Sequence, residues 1–327
     1  MKEDSFMIIP IFVPHEGCPN DCAFCNQRTI SGKVNAPDIS EARKIIEEYL
    51  SGGKKAEQIA FFGGSFTGIN VKKQNEYLSL AEEYIKKGVV KSIRLSTRPD
   101  YIDKDTVQRL ISFGVKNIEL GAQSMDEEVL LLSKRGHSSY DVNEAARIIS
   151  ESEAVLGLQM MTGLPGDSFE KCLYTAKRFK ELGAKETRIY PTVVLKGTYL
   201  EKMLEKGEYT PQNVEDAVEI SAKLYRYFNE NGITVLRIGL PDGADLRENY
   251  IAGAYHPSLG EMVISRDIRN RVEEEAQRSA VDVFVNPCFL SKVNGNKKCN
   301  IKYFEENEMQ VNIIIDYSID KYEIRKS

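Results

Sequence analysis

The stretch HEGCPNDCAFCNQR, residues 15–28, decides how this sequence is interpreted. It places three of the chain's six cysteines, Cys18, Cys22 and Cys25, within eight residues. A structural zinc site needs four ligands, commonly from two cysteine pairs, and the other three cysteines are isolated in sequence. A thioredoxin-type pair would use Cys22 and Cys25 but leave Cys18 without a role. A 4Fe-4S cluster held by three thiolates leaves one iron open to an outside chelating molecule, and this interpretation gives all three cysteines a purpose.

The composition is that of an ordinary soluble globular protein. The 327 residues are 42% hydrophobic and 28% charged, with a formal net charge of -5. That charge gives no overall signature of nucleic-acid binding. The chain contains no apolar run of 18 residues, and its short apolar start at 7–14 predicts a first strand rather than a secretory signal. We therefore expect a cytoplasmic protein with no membrane association, in which clustered cysteines serve metal or redox chemistry.

Short β-rich runs alternate with longer helical patterns through the first three quarters of the chain. This alternation predicts an α/β fold of parallel strands joined by right-handed crossovers. Both a doubly wound sheet and a full or partial β/α barrel fit the pattern. The predicted strands cover residues 7–14, 58–62, 91–96, 117–121, 154–160, 187–192 and 233–239.

The pattern changes near residue 241. We predict a core over 1–240, a connection rich in turn residues over 241–258, and a small α+β domain over 259–327. The expected elements of the small domain are helices at 259–277, near 288–293 and at 300–306, and strands at 281–285, 310–316 and 321–325.

Part of this small domain, SKVNGNKKCNIKYFEENEMQVNIII, resembles a KH domain, in which a GxxG loop between two helices clamps nucleotides. Gly295 matches the first glycine of that loop, but Lys298 stands in place of the second. Lysines cluster around the loop and are suited to phosphates, so RNA is an expected partner. A small packing domain with a solvated lysine loop fits the same residues. The lysines are Lys292, Lys297, Lys298 and Lys302.

Glycine and polar residues collect where the predicted strands end, which is where β/α folds place their sites. Together these residues predict a ligand site that includes backbone close to the ligand, hydroxyl and guanidinium donors, an amide and a tight turn. They are Gly63, Gly64 and Ser65 after the second strand, Ser96 and Arg98 after the third, Gln123 after the fourth, and Gly163 and Pro165 after the fifth. Tyr190 at the end of the sixth strand and Arg135 are candidates for contact with substrate or cofactor.

The CxxxCxxC spacing, with Phe24 before the last cysteine, resembles the signature of the radical S-adenosylmethionine (SAM) superfamily. The segments FFGGSFTGI, LSTRPDYID, IELGAQSMDEEVL, QMMTGLPGD and IYPTVVLKGTYLEKMLEKGEYTP resemble, in order and spacing, the radical SAM core of the Elongator catalytic subunit family over 7–240. The resemblance implies a partial (β/α)6-type TIM barrel, a 4Fe-4S cluster on the three cysteines, and SAM as cofactor. In the superfamily a Gly-Gly-Glu-like motif contacts the SAM amino group through its backbone; Ser65 departs from it, so only the backbone role carries over.

The resemblance also sets the expected function. It implies an enzyme that cleaves SAM to a 5'-deoxyadenosyl radical, takes its electron from a flavodoxin- or ferredoxin-like donor, and modifies a tRNA or rRNA nucleotide. We see neither the family's acetyltransferase domain nor its basic N-terminal extension, so carboxymethylation of tRNA is not implied. Two alternatives stay open: a radical SAM enzyme acting on a small metabolite or porphyrin-like molecule, and an RNA-binding protein with a structural or redox-sensing cluster.

Overall fold

The structure is a computed structural model that describes residues 7–13, 22–25, 36–276 and 280–327. Its strands are β1 (Ile8–Val13), β2 (Ala56–Gly63), β3 (Val90–Thr97), β4 (Val115–Gln123), β5 (Val155–Thr162), β6 (Glu186–Pro191), β7 (Val193–Leu195), β8 (Thr234–Ile238), β9 (Tyr250–Gly253), β10 (Val281–Val285), β11 (Val311–Ile315) and β12 (Tyr322–Lys326). Its α-helices are α1 (Ile39–Tyr49), α2 (Val71–Lys86), α3 (Lys104–Ser112), α4 (Glu127–Leu132), α5 (Ser139–Ser150), α6 (Phe169–Glu181), α7 (Tyr199–Glu205), α8 (Val214–Glu230), α9 (Ala244–Asn249), α10 (Leu259–Ala276), α11 (Leu290–Asn294) and α12 (Cys299–Glu306).

Seven strands form one parallel sheet in the order β1-β2-β3-β4-β5-β6-β8. Each strand lies beside its neighbour in sequence, whereas a doubly wound sheet reverses its order at a switch point. This sequential order is that of a barrel that has closed only in part, so the prediction of a partial TIM barrel is confirmed. All seven carboxyl ends lie along the same edge of the sheet.

The sequence explains why the helices pack on the outside of this sheet. In α6 the predicted apolar stripe is buried at Cys172, Ala176 and Phe179. The Ser168 side chain caps the start of α6 by accepting a hydrogen bond from the Lys171 backbone. Helix ends of this kind fix where each crossover begins, and so they place each loop at the edge of the sheet.

The segment 241–258 contains more structure than the predicted connection. It holds α9 and then β9, which pairs antiparallel with β7, with Val193 opposite Gly253. Strand β9 is four residues long and ends in glycine, so its weak strand signal was hidden by the turn residues around it. The β7–β9 pair lies beside the edge of the barrel where the carboxyl ends meet.

The C-terminal part is built on a three-stranded sheet in the order β11-β10-β12, parallel on one side and antiparallel on the other. Helix α10 packs on this sheet through Ile268 and Val272. The same helix packs on α8 of the barrel through Leu259 and Val263. One helix therefore joins the C-terminal core to a smaller apolar cluster on α8. Among the described helices, none has the length and apolar character needed to cross a membrane.

Candidate active site

A cavity of about 480 Å³ opens at the carboxyl ends of the barrel strands. Its volume lies within the range of about 300–1,000 Å³ that is usual for small-molecule sites. The predicted site residues that line it are Phe24, Cys25, Gly63, Gly64, Ser65, Ser96, Arg98, Gln123, Arg135 and Tyr190. The structure therefore gathers residues from two loops and four strand ends at one place.

The described part of the cysteine loop lies against this cavity. Cys22 is 3% exposed, and its sulfur accepts a hydrogen bond from Nη1 of Arg135 at 3.3 Å. The backbone of Ala23 is held on both sides, because its N–H donates to Ser133 and its carbonyl accepts from Leu200. Cys18, the third predicted ligand, lies outside the described residues. The two cysteines that can be seen are positioned by the loop after α4 and by α7.

Ser65 ties the end of β2 to the end of β3. Its hydroxyl lies 2.9 Å from the Thr97 hydroxyl and accepts a hydrogen bond from the Arg98 backbone at 3.2 Å. Gly63, two residues earlier, has a φ of 109°, a backbone conformation that residues with a side chain rarely adopt. The Ser65 side chain is thus used within the protein, and the adjacent glycine backbone is what faces the cavity.

Gln123 and Arg135 face each other across Gly121. Nη2 of Arg135 donates to the Gly121 carbonyl at 2.8 Å. A Cβ at Gly121 would lie 2.9 Å from Nε2 of Gln123 and 3.0 Å from Nη2 of Arg135, so only glycine leaves room for both side chains. Oε1 of Gln123 and Nε of Arg135 are buried and have no hydrogen-bond partner within the described structure. Such buried unpaired atoms are costly, and they suit a bound polar ligand.

The guanidinium of Arg98 is held by the protein itself. It binds the Asp100 carboxylate through two hydrogen bonds at 2.8 and 3.0 Å and donates to the Arg135 carbonyl at 3.0 Å. This clamp fixes the backbone that carries Arg135. His137 lies two residues after Arg135. Burial lowers the pKa of His137 to about 3, and the charges of Arg135 and Arg98 act in the same direction, so the ring is neutral.

Gly163 and Pro165 are not brought together with the other predicted residues. Both line a second cavity, of about 310 Å³, on the outer side of the β5 turn. The turn is held by the Asp167 carboxylate, which accepts from the Gly163 backbone at 2.8 Å and from the Cys172 thiol at 3.0 Å. Burial raises the pKa of both Asp167 and Cys172. Cys172 is buried, as its place on the helix stripe predicted.

A buried charge network under the cavity was missed by the sequence analysis. Glu119 on β4 is 1% exposed and accepts hydrogen bonds from Arg94, Arg188 and Gln159. Burial raises the pKa of Glu119, but the hydrogen bonds and charges of its arginine partners outweigh burial and lower it. The available signal was a charged residue inside each of the apolar strands β3, β4 and β6. Of these residues, Arg188 and Gln159 line the cavity, as does Arg237 on the neighbouring strand β8.

The geometry agrees with comparisons to known proteins. A family model described as the radical SAM superfamily matches residues 12–179, and a model of a radical SAM C-terminal domain matches 184–270. The chain is 28% identical over 205 residues to a tRNA uridine(34) acetyltransferase of Methanocaldococcus infernus, covering 55% of this chain and 38% of that protein. It is 29% identical over 263 residues to Elongator complex protein 3 of Homo sapiens, covering 71% of this chain and 47% of that protein.

A solved structure shares the fold. The archaeal Methanocaldococcus infernus Elp3 with an N-terminal deletion (1–46) aligns with a TM-score of 0.66 and 22% identity, covering 83% of this chain and 63% of that one. The chain spans between 24% and 63% of the length of the curated relatives it matches. The motif-based resemblance to the Elongator radical SAM core is confirmed by these similarities.

Proposed function

Because the chain belongs to the radical SAM superfamily, whose enzymes use a 4Fe-4S cluster and SAM, we propose that it modifies a nucleotide of RNA by radical chemistry. When bound, the cluster supplies an electron that cleaves SAM to methionine and a 5'-deoxyadenosyl radical, which abstracts hydrogen from the substrate. One observation carries the proposal. Cys25 and the residues that carry buried, unpaired polar atoms, Gln123 and Arg135, line a single cavity at the carboxyl ends of the strands.

The described cysteines fit the cluster. Thiolates are the usual ligands of Fe–S clusters. Cys25 lines the cavity, and Cys22 is buried beside the Arg135 guanidinium, which donates a hydrogen bond to its sulfur. Cys18 completes the proposed set of three. Within the described structure, Arg135 forms no ion pair with a carboxylate, so its guanidinium stays available as a hydrogen-bond donor to the Cys22 sulfur.

The atoms left unpaired around the cavity fit the polar end of SAM. Oε1 of Gln123 can accept from the amino group of SAM, and Nε of Arg135 can donate to its carboxylate. The backbone at Gly63 and Gly64 permits close approach at the end of β2. Ser65 is used to join two strands, so its side chain has no part in this cradle. Pairing these atoms with a ligand would remove the cost of burying them.

The cavity wall contains apolar surface beside its charged groups. Phe12, Phe24, Phe62 and Met161 supply apolar surface on several sides. Tyr190 stands among them, and burial raises its pKa, so its hydroxyl stays protonated at neutral pH. We assign Tyr190 to the face of the cavity that meets the substrate. A closed, apolar surround protects a radical from side reactions.

Two observations support RNA as the substrate. The relatives include proteins named for modification of tRNA uridine 34. In the C-terminal part, Lys297 and Lys298 form an exposed loop between α11 and α12, at the position of the KH-like GxxG segment. Lysines of this kind contact phosphates rather than bases, so they would hold RNA without selecting its sequence. A flavodoxin- or ferredoxin-like protein is the proposed electron donor.

The first experiment tests the chemistry. Protein reconstituted without oxygen should hold about four iron atoms per chain and should form 5'-deoxyadenosine when given SAM and dithionite. Cys22→Ala should lose both properties, whereas Cys288→Ala, a change at an exposed cysteine, should keep them. Unchanged 5'-deoxyadenosine from Cys22→Ala would show that the radical assignment is wrong.

The second experiment tests the substrate. Nucleosides from digested tRNA and rRNA are compared by mass spectrometry in cells with the gene, without it, and with the Cys22→Ala form. The RNA proposal requires a nucleoside that is present only with the active gene. Identical nucleoside profiles, with SAM cleavage intact in vitro, would reject RNA and leave a small metabolite as the substrate.

A further inference from the structure

The described charged residues that line the cavity are all positive. Among the described residues that line it, four are arginines, Arg98, Arg135, Arg188 and Arg237, and none is aspartate, glutamate or lysine. A concave wall with charges of one sign concentrates the field and attracts ligands of the opposite sign.

Three of these arginines already have a negative or sulfur partner. Arg98 binds Asp100, Arg188 binds Glu119, and Arg135 donates to the Cys22 sulfur. Arg237 differs from them. Its Nε donates to the Gly239 carbonyl at 3.1 Å, and no ion pair joins it to any residue in the described ranges. Within the described structure, Arg237 therefore has neither a carboxylate nor a sulfur partner for its charge.

The position of Arg237 makes this charge significant. Arg237 on β8 is in direct register with Arg188 on β6, so the two backbones lie only about 4.8 Å apart. Both residues line the cavity, Arg237 at its exposed rim, and the positive charges of both act to lower the pKa of Tyr190. Neighbouring like charges repel each other, and a negative group between them removes that repulsion.

This end of the cavity is separate from the proposed SAM cradle. Gln123 lies on β4, and β8 is three strands further along the sheet, about 14 Å at the usual strand spacing. We propose that Arg237, together with Arg188 and the Tyr190 hydroxyl, forms a subsite for an oxyanion of the substrate, either a phosphate or a carboxylate. The inference rests on the proposed function, because it describes what the radical enzyme holds beside SAM. Guanidinium groups suit both oxyanions through paired hydrogen bonds.

The test measures how fast each arginine reacts with phenylglyoxal in the reconstituted full-length protein, by peptide mass spectrometry. Arg247 is the matched control, since it is exposed, lies ten residues away and is paired with Asp242. We expect Arg237 to react faster than Arg247 and to be protected by inorganic phosphate. If phosphate binds with a Kd of about 1 mM, 10 mM phosphate should slow its modification about tenfold. Sodium chloride at equal ionic strength should not.

The remaining arms identify the source of the oxyanion. Protection by unmodified tRNA at micromolar concentration assigns the subsite to an RNA phosphate; protection by acetate but not by phosphate assigns it to a carboxylate. A second readout uses Arg237→Gln, which should lose the rise in thermal midpoint caused by phosphate, and Arg237→Lys, which should retain part of it. If phosphate, acetate and tRNA all fail to protect Arg237, or if sodium chloride protects it equally, the subsite does not exist. None of these assays uses SAM cleavage, so their outcome is independent of a failure of the radical assignment.

Discussion

Replacing Glu119 with glutamine is expected to destabilise the barrel strongly without changing the volume of its core. Each carboxylate oxygen accepts two hydrogen bonds: Oε1 from Arg94 at 2.9 Å and Arg188 at 3.0 Å, and Oε2 from Arg188 at 2.6 Å and Gln159 at 2.8 Å. A glutamine turns one of these oxygens into a donor that faces two other donors. It also removes the negative charge that two buried arginines share.

Breaking a buried ion pair on one side costs about 3–5 kcal/mol. The charge left without a carboxylate here is that of Arg188, because Arg94 keeps its ion pair with Glu186. With an m value of about 3 kcal/mol per M, the urea midpoint should fall by about 1–1.7 M. Glu83→Gln is the matched control, since Glu83 also binds an arginine through two hydrogen bonds but does so in solvent, and its midpoint should stay at the wild-type value. Since the folded pKa of Glu119 is lowered, its contribution is present above the unfolded pKa and is lost as pH falls, so the deficit of the variant should shrink in acid. A midpoint shift no larger than that of Glu83→Gln would refute the assigned role of the network.

Two other changes have defined outcomes. Gly121→Ala should push Gln123 and Arg135 apart and weaken SAM binding in calorimetry. Gly243→Ala, with nothing within 4 Å of its added Cβ, should bind SAM like the wild type. If the two variants bound SAM equally well, Gln123 and Arg135 would not be part of the SAM site. The folded pKa of His137 is lowered from 6.5 to about 3, so unfolding takes up a proton between those values and stability should fall by up to about 1.36 kcal/mol per pH unit as pH drops below 6.5. His137→Asn should remove that part of the pH slope, and an unchanged slope between pH 6 and 4 would contradict a neutral buried ring.

The sequence predicts the backbone of the site better than its side-chain partners. The positions of Gly63, Gln123 and Tyr190 follow from one rule, that parallel strands bring their carboxyl ends to one edge. That rule needs only the ends of the strands, and alternating apolar runs show those ends clearly. It does not give the direction that a loop takes after the strand, which is why Gly163 and Pro165 turn to a second cavity.

The buried network could not be predicted from the same information. Glu119 meets Arg94 and Arg188, which lie 25 and 69 residues away in the chain. Their pairing depends on the stagger of neighbouring strands, and that stagger shifts between Ile93 and Arg94. The spacing of residues along the chain gives neither the stagger of the strands nor the position at which it shifts. The lack of an acidic or sulfur partner for Arg237 is visible only after the partners of the other three arginines in the cavity are known.

Helix α10 packs on both the C-terminal sheet and α8, and its 18 residues make it about 27 Å long. Its contacts with α8 are reinforced by ion pairs, including Arg226 with Asp267 and Arg266 with Glu219. The lysine loop at Lys297 and Lys298 is therefore part of a domain that is packed on the barrel rather than connected to it by a flexible linker. If the lysine loop and the cavity bind the same RNA, α10 sets a fixed distance between the phosphates bound at the loop and the nucleotide that enters the cavity.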